Sequence, residues 1–365
     1  MIEIDFERLR SVGLTSFGLQ HIQKQLANPA GLEGEPPPTL LRLTEVHRET
    51  VRLSDGTQER SARPLPRLTR MLSERETALA VGDWVRACSD AHGDWWVHEQ
   101  LAPLSHLARR DADGRRHPVV SNVDTALLVM GLDDDFNPRR LERYLSLVHG
   151  SGLLPVIVLT KADVATPQAI EVAFEAMRGR IPASLDMVIV DARAPETAGL
   201  LAPYLGAGQT VVLLGSSGAG KSTLTNTLAG AALQDTGAVR EHDSRGKHTT
   251  TARALIRLPG GACVIDTPGL RALRPDVDEA TLTAGFADID RLAAQCRFRD
   301  CRHGDEPGCA VREGVAPDRL RNFHKLLREA RRDTMTVLER QQQLAQWKAR
   351  GRAGHARAKA KREAV

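Results

Sequence analysis

The sequence predicts a multidomain chain in three folded units. These are an N-terminal β-barrel of the OB-fold type, a central α/β unit around a phosphate-binding loop, and a C-terminal α-helical unit around a zinc-ligand cluster. Three observations carry this prediction. Short apolar runs broken by turn residues fill Thr39 to Leu107, apolar runs alternate with helix-like stretches from Val119 to about Asp288, and three cysteines and a histidine fall within 14 residues between Cys296 and Cys309. A chain of 365 residues is too long for one ordinary domain. The expected boundaries are an N-terminal extension over 1–38, the barrel over 39–115, the α/β unit over 116–288, the helical unit over 289–345 and a basic tail over 346–365.

With 41% apolar and 26% charged residues the composition is that of a globular chain. Its longest apolar runs, such as Leu153 to Leu159, are too short to cross a bilayer. The opening MIEIDFERLR has no apolar core of a secretory signal. Five cysteines in a chain without export features point to a reducing cytoplasm rather than a disulfide scaffold. No membrane partner is expected.

The first 36 residues are polar and run into Pro36-Pro37-Pro38, which can neither continue a helix nor donate backbone bonds. The barrel reading then rests on Leu41, Leu43 and Val46, the turn Ser54-Asp55-Gly56, and the runs Val81 to Val85 and Trp95 to Val97. About five short strands in so little chain suit a small closed barrel. Trp84, Trp95 and Trp96 are expected to fill its core, and Cys88, like Cys263 further on, to be a small core residue.

In the central unit the apolar runs are Ala126 to Met130, Leu153 to Leu159, Met187 to Val190, Val211 to Leu214 and Ala262 to Ile265. Pro138 to Val148 places Leu141, Tyr144, Leu145 and Val148 on one helical face, and Gln168 to Met177 has similar spacing. Strands alternating with helices predict a parallel, doubly wound sheet.

Gly215-Ser216-Ser217-Gly218-Ala219-Gly220-Lys221-Ser222 fits G-x-x-x-x-G-K-[ST] at every position, between a β-branched run and a helix start that includes Thr223. The glycines let backbone amides face phosphates, Lys221 reaches the outer phosphates and the Ser222 hydroxyl can bind Mg²⁺. Asp266-Thr267-Pro268-Gly269 follows a second apolar strand, 45 residues after Lys221, where its aspartate would hold Mg²⁺ through water and Gly269 would meet the γ-phosphate.

The base is read by Thr160-Lys161-Ala162-Asp163 at the end of the Leu153 to Leu159 strand. A carboxylate there accepts from both N1–H and the N2 amine of guanine, a donor pair that adenine lacks. The usual motif begins with Asn; Thr160 keeps a hydroxyl but loses an amide that helps tie the loops together. Asp191-Ala192 closes the next strand, where a loop amide would meet guanine O6; many GTPases carry Ser-Ala there, so Asp191 is a departure. The order of these motifs is informative. Thr160 to Asp163 precedes Gly215 by about 50 residues, and no second [NT]-K-x-D follows Gly269, so the order of an ordinary GTPase is circularly permuted.

Cys296-x4-Cys301-x-His303-x5-Cys309 supplies three thiolates and an imidazole, a closed tetrahedral shell for one structural Zn²⁺. From Gln346 to Val365 seven Lys and Arg face a single Glu, which suggests a polyanionic partner.

Taken together, the motifs in this order resemble the ribosome small-subunit-dependent GTPase A family over roughly Leu40 to Ala330. The resemblance implies an OB-fold, a circularly permuted GTPase domain and a zinc domain. It implies GTP hydrolysis, to GDP and phosphate, on the small ribosomal subunit late in its maturation, with ribosomal RNA as partner and a monomeric chain. Gly246-Lys247-His248-Thr249-Thr250-Thr251 resembles the family's switch I, which makes Thr250 a ligand of the Mg²⁺ that accompanies GTP. Leu270 stands where Ras-like proteins carry a water-orienting Gln. His248 is the candidate substitute, so that Lys221, His248 and Thr250 carry the catalytic roles. The alternative is a GTP-gated RNA-binding module with little hydrolysis.

Overall fold

The computed structural model describes residues 4–27, 38–110, 115–182, 184–234, 253–267 and 274–334. The chain opens in helices α1 (Phe6–Arg10) and α2 (Ser16–Leu26). Side chains start both: Asp5 accepts from the Arg8 amide and Thr15 from the Gly18 amide, satisfying donors the first helical turn leaves free. Leu9, Val12, Leu14 and Ile22 are buried against Leu40, Trp84 and Leu101. The polar N-terminal stretch is therefore packed onto the molecule. Gly13 shows how closely: its φ is +93°, and a β-carbon there would lie 2.3 Å from the Thr210 hydroxyl.

The barrel consists of β1 (Thr39–Val46), β2 (Val51–Ser54), β3 (Glu59–Pro64), helix α3 (Pro66–Glu74), β4 (Trp84–Ser89) and β5 (Trp95–Gln100). The strands pair in the order β1-β2-β3-β5-β4, and β4 pairs back onto β1, which closes the barrel and leaves no free edge. Only β3–β5 is parallel. Leu41, Leu43, Leu53, Val85 and Val97 fill the interior. The tryptophans depart from expectation: Trp84 belongs to the cluster under the N-terminal helices, Trp95 only borders the core, and Trp96 donates from Nε1 to Asp90 at 3.0 Å. Cys263 is fully buried, whereas Cys88 is buried with its sulfur 2.9 Å from His98 Nε2.

A hairpin of β6 (His106–Arg110) and β7 (Arg116–Ser121) leads to the α/β sheet. That sheet is built from β8 (Thr125–Gly131), α4 (Pro138–His149), β9 (Leu154–Thr160), α5 (Pro167–Arg178), β10 (Met187–Ile189), α6 (Glu196–Leu201), β11 (Thr210–Leu214), α7 (Lys221–Ala229), β12 (Ala254–Arg257) and β13 (Cys263–Asp266). Its order is β10-β9-β8-β11-β13-β12, all parallel except β12. The continuous apolar runs are explained by burial on both faces. Val212 and Leu214 join one core with Leu128 and Met130, while Val211 and Leu213 join the other with Leu127 and Val129. The edge strand β12 meets β1 at Glu45 and Ala254, so the barrel and the sheet are continuous.

Fully buried Arg42 on β1 crosses this junction. It donates to the Asn122 carbonyl at 2.8 Å and lies 4.7 Å over the Trp84 ring, and burial pushes its pKa down to about 10.

The chain ends its described course in β14 (Arg274–Pro275), which pairs with β6, and in α8 (Glu279–Ala284), α9 (Ala287–Ala293), α10 (Ala310–Gly314) and α11 (Pro317–Thr334). Phe286, Phe323, Leu282, Ile289, Val311 and Leu326 form their core. This unit is bolted to α4 by a buried ionic network. Glu142, 2% exposed, accepts from Arg319 at 2.6 Å, Asn322 at 2.5 Å and Arg180 at 3.0 Å, while Arg319 also pairs with Asp288 at 2.6 Å. Replacing Glu142 by alanine removes the buried acceptor shared by Arg319, Arg180 and Asn322, leaves Arg319 with Asp288 and Arg180 with Asp318, and is expected to cost about 1–3 kcal/mol. Chemical denaturation followed through the C-terminal helices measures it, and an unchanged midpoint contradicts the network's role.

Candidate nucleotide site and metal cluster

Five loops leave the carboxyl ends of β8, β9, β10, β11 and β13 on one edge of the sheet, the usual place for a ligand in a doubly wound fold. After β11 the chain turns through Gly215 to Gly220 into α7. Gly220 has φ +91°, and the Thr160 hydroxyl lies 3.3 Å from where its β-carbon would sit. The Lys221 side chain folds back over this loop and donates to the carbonyls of Gly215 at 3.0 Å and Ser216 at 2.7 Å. Burial lowers its pKa, and the negative charges of Asp266 and Asp135 oppose that shift.

Asp266 ends β13 beside Lys221. Burial raises its carboxyl pKa, against the pull of Lys221 and of hydrogen bonds from Gln234 and Ser222. Its Oδ1 is buried and has no hydrogen-bond partner among the described residues. A hydroxyl at the helix start, facing a buried carboxylate with one oxygen unsatisfied, is a donor set that fits a hydrated Mg²⁺. Thr267 donates to the Leu213 carbonyl at 2.5 Å and so fastens the end of β13 to β11.

The Thr160-Asp163 loop lies directly against the phosphate-binding loop. The Thr160 hydroxyl, fully buried, donates to the Ala219 carbonyl at 2.7 Å. A hydroxyl thus makes the tie between the two loops for which the usual asparagine supplies an amide. Lys161 adopts φ +64° and pairs with Asp133, and the Ala162 amide donates to the Val190 carbonyl at 3.2 Å. Asp163 is exposed, and its carboxylate takes no hydrogen bond from the described residues. The β10 loop sits alongside. Asp191 turns its carboxylate onto the Arg193 amide at 2.9 Å, while the Ala192 carbonyl accepts from Thr227 of α7 at 2.6 Å. The side chains brought to this edge are therefore those of Lys221, Ser222 and Asp266 on one side and Thr160, Lys161 and Asp163 on the other. His248, Thr250 and Gly269 lie outside the described residues.

Two acids that no motif picked out complete the edge. Asp135 accepts from the Ser216 hydroxyl at 2.5 Å and pairs with Arg140 at the start of α4. Asp133 holds Lys161. Their one trace in the sequence is the run Asp133-Asp134-Asp135 between an apolar strand and the Asn137 cap of α4.

In the C-terminal unit the ligand atoms of Cys296, Cys301, His303 and Cys309 all lie within 4.8 Å of one another. Cys296 and Cys309 sulfurs are 3.9 Å apart, and His303 Nδ1 is 3.6 and 3.5 Å from them. A tetrahedral Zn²⁺ with ordinary bond lengths requires about 3.8 Å between sulfurs and about 3.6 Å from sulfur to nitrogen. The cluster fits that ion. Glu306 accepts from the Gly304 amide at 2.7 Å, and His324 of α11 donates to the His303 carbonyl at 3.3 Å, so the ligand loop is tied down at both sides.

Fold and site together define a circularly permuted GTPase domain carried between a five-stranded barrel and a metal-cluster domain. The family model for the RsgA GTPase matches residues 102–275. The small ribosomal subunit biogenesis GTPase RsgA of Xanthomonas axonopodis pv. citri (strain 306) is 44% identical over 337 residues, covering 89% of each chain. The protein of the same name from Xanthomonas campestris pv. campestris (strain B100) is 47% identical over 295 residues, 78% of this chain and 79% of that one. Among solved structures, YjeQ from Thermotoga maritima matches 80% of this chain and 98% of its own with a TM-score of 0.57 at 23% identity. YloQ, a circularly permuted GTPase, matches 84% and 100% with a TM-score of 0.55 at 22% identity. The chain belongs to the RsgA GTPase family.

Proposed function

We propose that this GTPase acts in the late maturation of the small ribosomal subunit, binding its ribosomal RNA and hydrolysing GTP to GDP and phosphate when the subunit stimulates it. The observation that carries the nucleotide part is the junction of the two loops, where Thr160 of the guanine-reading motif donates to Ala219 of the phosphate-binding motif at 2.7 Å. One pocket edge then offers a carboxylate for the base at Asp163 and an ammonium for the phosphates at Lys221. The similarity to small ribosomal subunit biogenesis GTPases supports the ribosomal part.

In this reading Gly215 to Gly220 present backbone amides to the phosphates, and Lys221 leaves its two carbonyls to meet the outer phosphate oxygens. Ser222 and Asp266 would hold Mg²⁺, which when bound neutralises charge on the terminal phosphates. Thr250 completes that set, Gly269 meets the γ-phosphate and His248 positions the attacking water; these three assignments rest on the sequence. Ala162 and the Asp191-Ala192 loop border the base, and Ser217, Gly218 and Thr223 border the phosphates. Zn²⁺ at Cys296, Cys301, His303 and Cys309 is structural. The barrel and the basic tail contact RNA backbone, an interaction that weakens with salt. No helix among the described residues is long and apolar enough to cross a membrane, and the working place is the cytoplasm, as a monomer.

Asp163→Ala is expected to lower affinity for GTP by about 100-fold while leaving ATP binding unchanged, because two charge-assisted hydrogen bonds to guanine are lost. Competition binding with both nucleotides reads this, and an equal loss for ATP removes Asp163 from base reading. For the partner, co-sedimentation with purified small subunits is expected with a non-hydrolysable GTP analogue and to weaken with GDP. Binding only to large subunits, or to neither, overturns the ribosomal assignment.

A further inference from the structure

The region around α4 contains a set of contacts that the nucleotide motifs do not account for. At its N-terminal end, Asp135 takes the Ser216 hydroxyl on one oxygen and Arg140 on the other. Ser216 is the first variable residue of the phosphate-binding loop, and its carbonyl is one of the two that hold the Lys221 ammonium, at 2.7 Å. A chain of contacts thus runs Arg140–Asp135–Ser216–Lys221. Asp133, two residues earlier, holds Lys161 of the base loop in the same way. Asp135 is largely buried and Asp133 is exposed, and each is turned onto a side chain of a nucleotide loop.

The same helix carries the attachment of the metal-cluster domain. Within the next turn after Arg140, Glu142 takes Arg319 and Asn322 of α11, and Arg143 pairs bidentately with Glu329 of α11 at 2.6 and 3.0 Å. Asp133 and Asp135 lie in the loop that leads from β8 into α4, and Arg140 in the first turn of α4 ties Asp135 to the helix whose next turn holds the docked domain, so a shift of α4 acts on the phosphate-binding loop through Arg140 and Asp135. Two sites that bias one element's position must influence each other's binding reciprocally.

We propose that Asp135 is a positioning residue for the phosphate-binding loop, and that α4 couples its position to the docking of the metal-cluster domain. Binding of guanine nucleotide and seating of α11 then strengthen one another. The inference rests on the nucleotide-binding reading of this edge and adds to it a route by which the C-terminal domain senses the nucleotide.

The test uses the full-length, metal-loaded chain and a fluorescent GDP analogue. Asp135→Ala is expected to weaken GDP binding by about tenfold, the loss of a charged hydrogen bond. Asp135→Asn, which keeps an acceptor for Ser216 but loses the charge facing Arg140, should fall between that variant and wild type. Both should bind a full equivalent of zinc and show an unchanged thermal midpoint. Coupling is read by combining Asp135→Ala with Glu329→Gln, which cuts the far grip at a partly exposed pair. If α4 links the two, the double variant loses less affinity than the product of the single losses, by threefold or more. Equal GDP affinity in wild type and Asp135→Ala overturns the positioning role. Multiplicative losses in the double variant overturn the coupling. Absence of GDP binding by wild type would instead strike at the nucleotide reading itself, so the two failures are distinguishable.

Discussion

Replacing Lys221 by alanine is expected to lower kcat for GTP hydrolysis by about 10²–10³-fold while leaving the fold intact. The lysine is buried and, among the described residues, donates to the carbonyls of Gly215 and Ser216; no close ion pair holds it, although Asp266 and Asp135 feel its charge. Burial already disfavours its charged form, which means that the folded chain bears a desolvation cost there. Such a cost is retained at a position where the charge is used on a ligand. Relief of that cost is offset by the loss of the positive charge near Asp266, so the thermal midpoint of Lys221→Ala should stay close to that of wild type. Full turnover in this variant would show that phosphate binding lies elsewhere, and a large loss of stability would make Lys221 a structural residue.

Metal removal has the second large effect. The C-terminal core is small, and Cys309, 2% exposed, belongs both to that core and to the ligand set, with Cys296 and Cys301 packed against it. A tetrahedral site of this kind contributes on the order of 10 kcal/mol to the fold that forms it. Chelation, or Cys309→Ala, is expected to unfold α8 to α11 while the barrel and the α/β sheet keep their own cores, which share no residue with the C-terminal cluster. Hydrogen exchange mapped along the chain should show protection lost over residues 279–334 and retained over β8, β9 and β11. Uniform protection after complete metal release would mean that the cysteines pack as ordinary core thiols.

Much of the architecture was legible because its signals are local. The apolar runs of β8, β9, β11 and β13 are buried on both faces, so each reads as a strand without reference to its partners. The phosphate-binding loop, the Thr160-Asp163 loop and the cysteine cluster keep fixed spacings along the chain, and the inverted order of the first two shows the permutation. What escaped depends on partners distant in sequence. Helices α1 and α2 bury only a few residues each, and the docking surface that makes those residues apolar contacts comes from Leu40, Trp84 and Leu101. Trp84 is expected in the barrel interior, but its strand also faces the N-terminal helices, and it packs there. The edge strand β12 carries only a short Ala254-Leu255-Ile256 run before Arg257, too brief to stand out. Asp133, Asp135 and Glu142 carry no local signal, since nothing in their neighbourhood along the chain names Lys161, Ser216 or Arg319 as their partners.

The most direct measurement of the central claim is GTP turnover by the full chain with and without purified small ribosomal subunits, run beside Lys221→Ala. The account predicts slow turnover alone, strong stimulation by small subunits and none by large subunits, with the stimulated rate lost in the variant. Tight GTP binding that small subunits fail to convert into turnover would contradict it and leave a GTP-gated binding module.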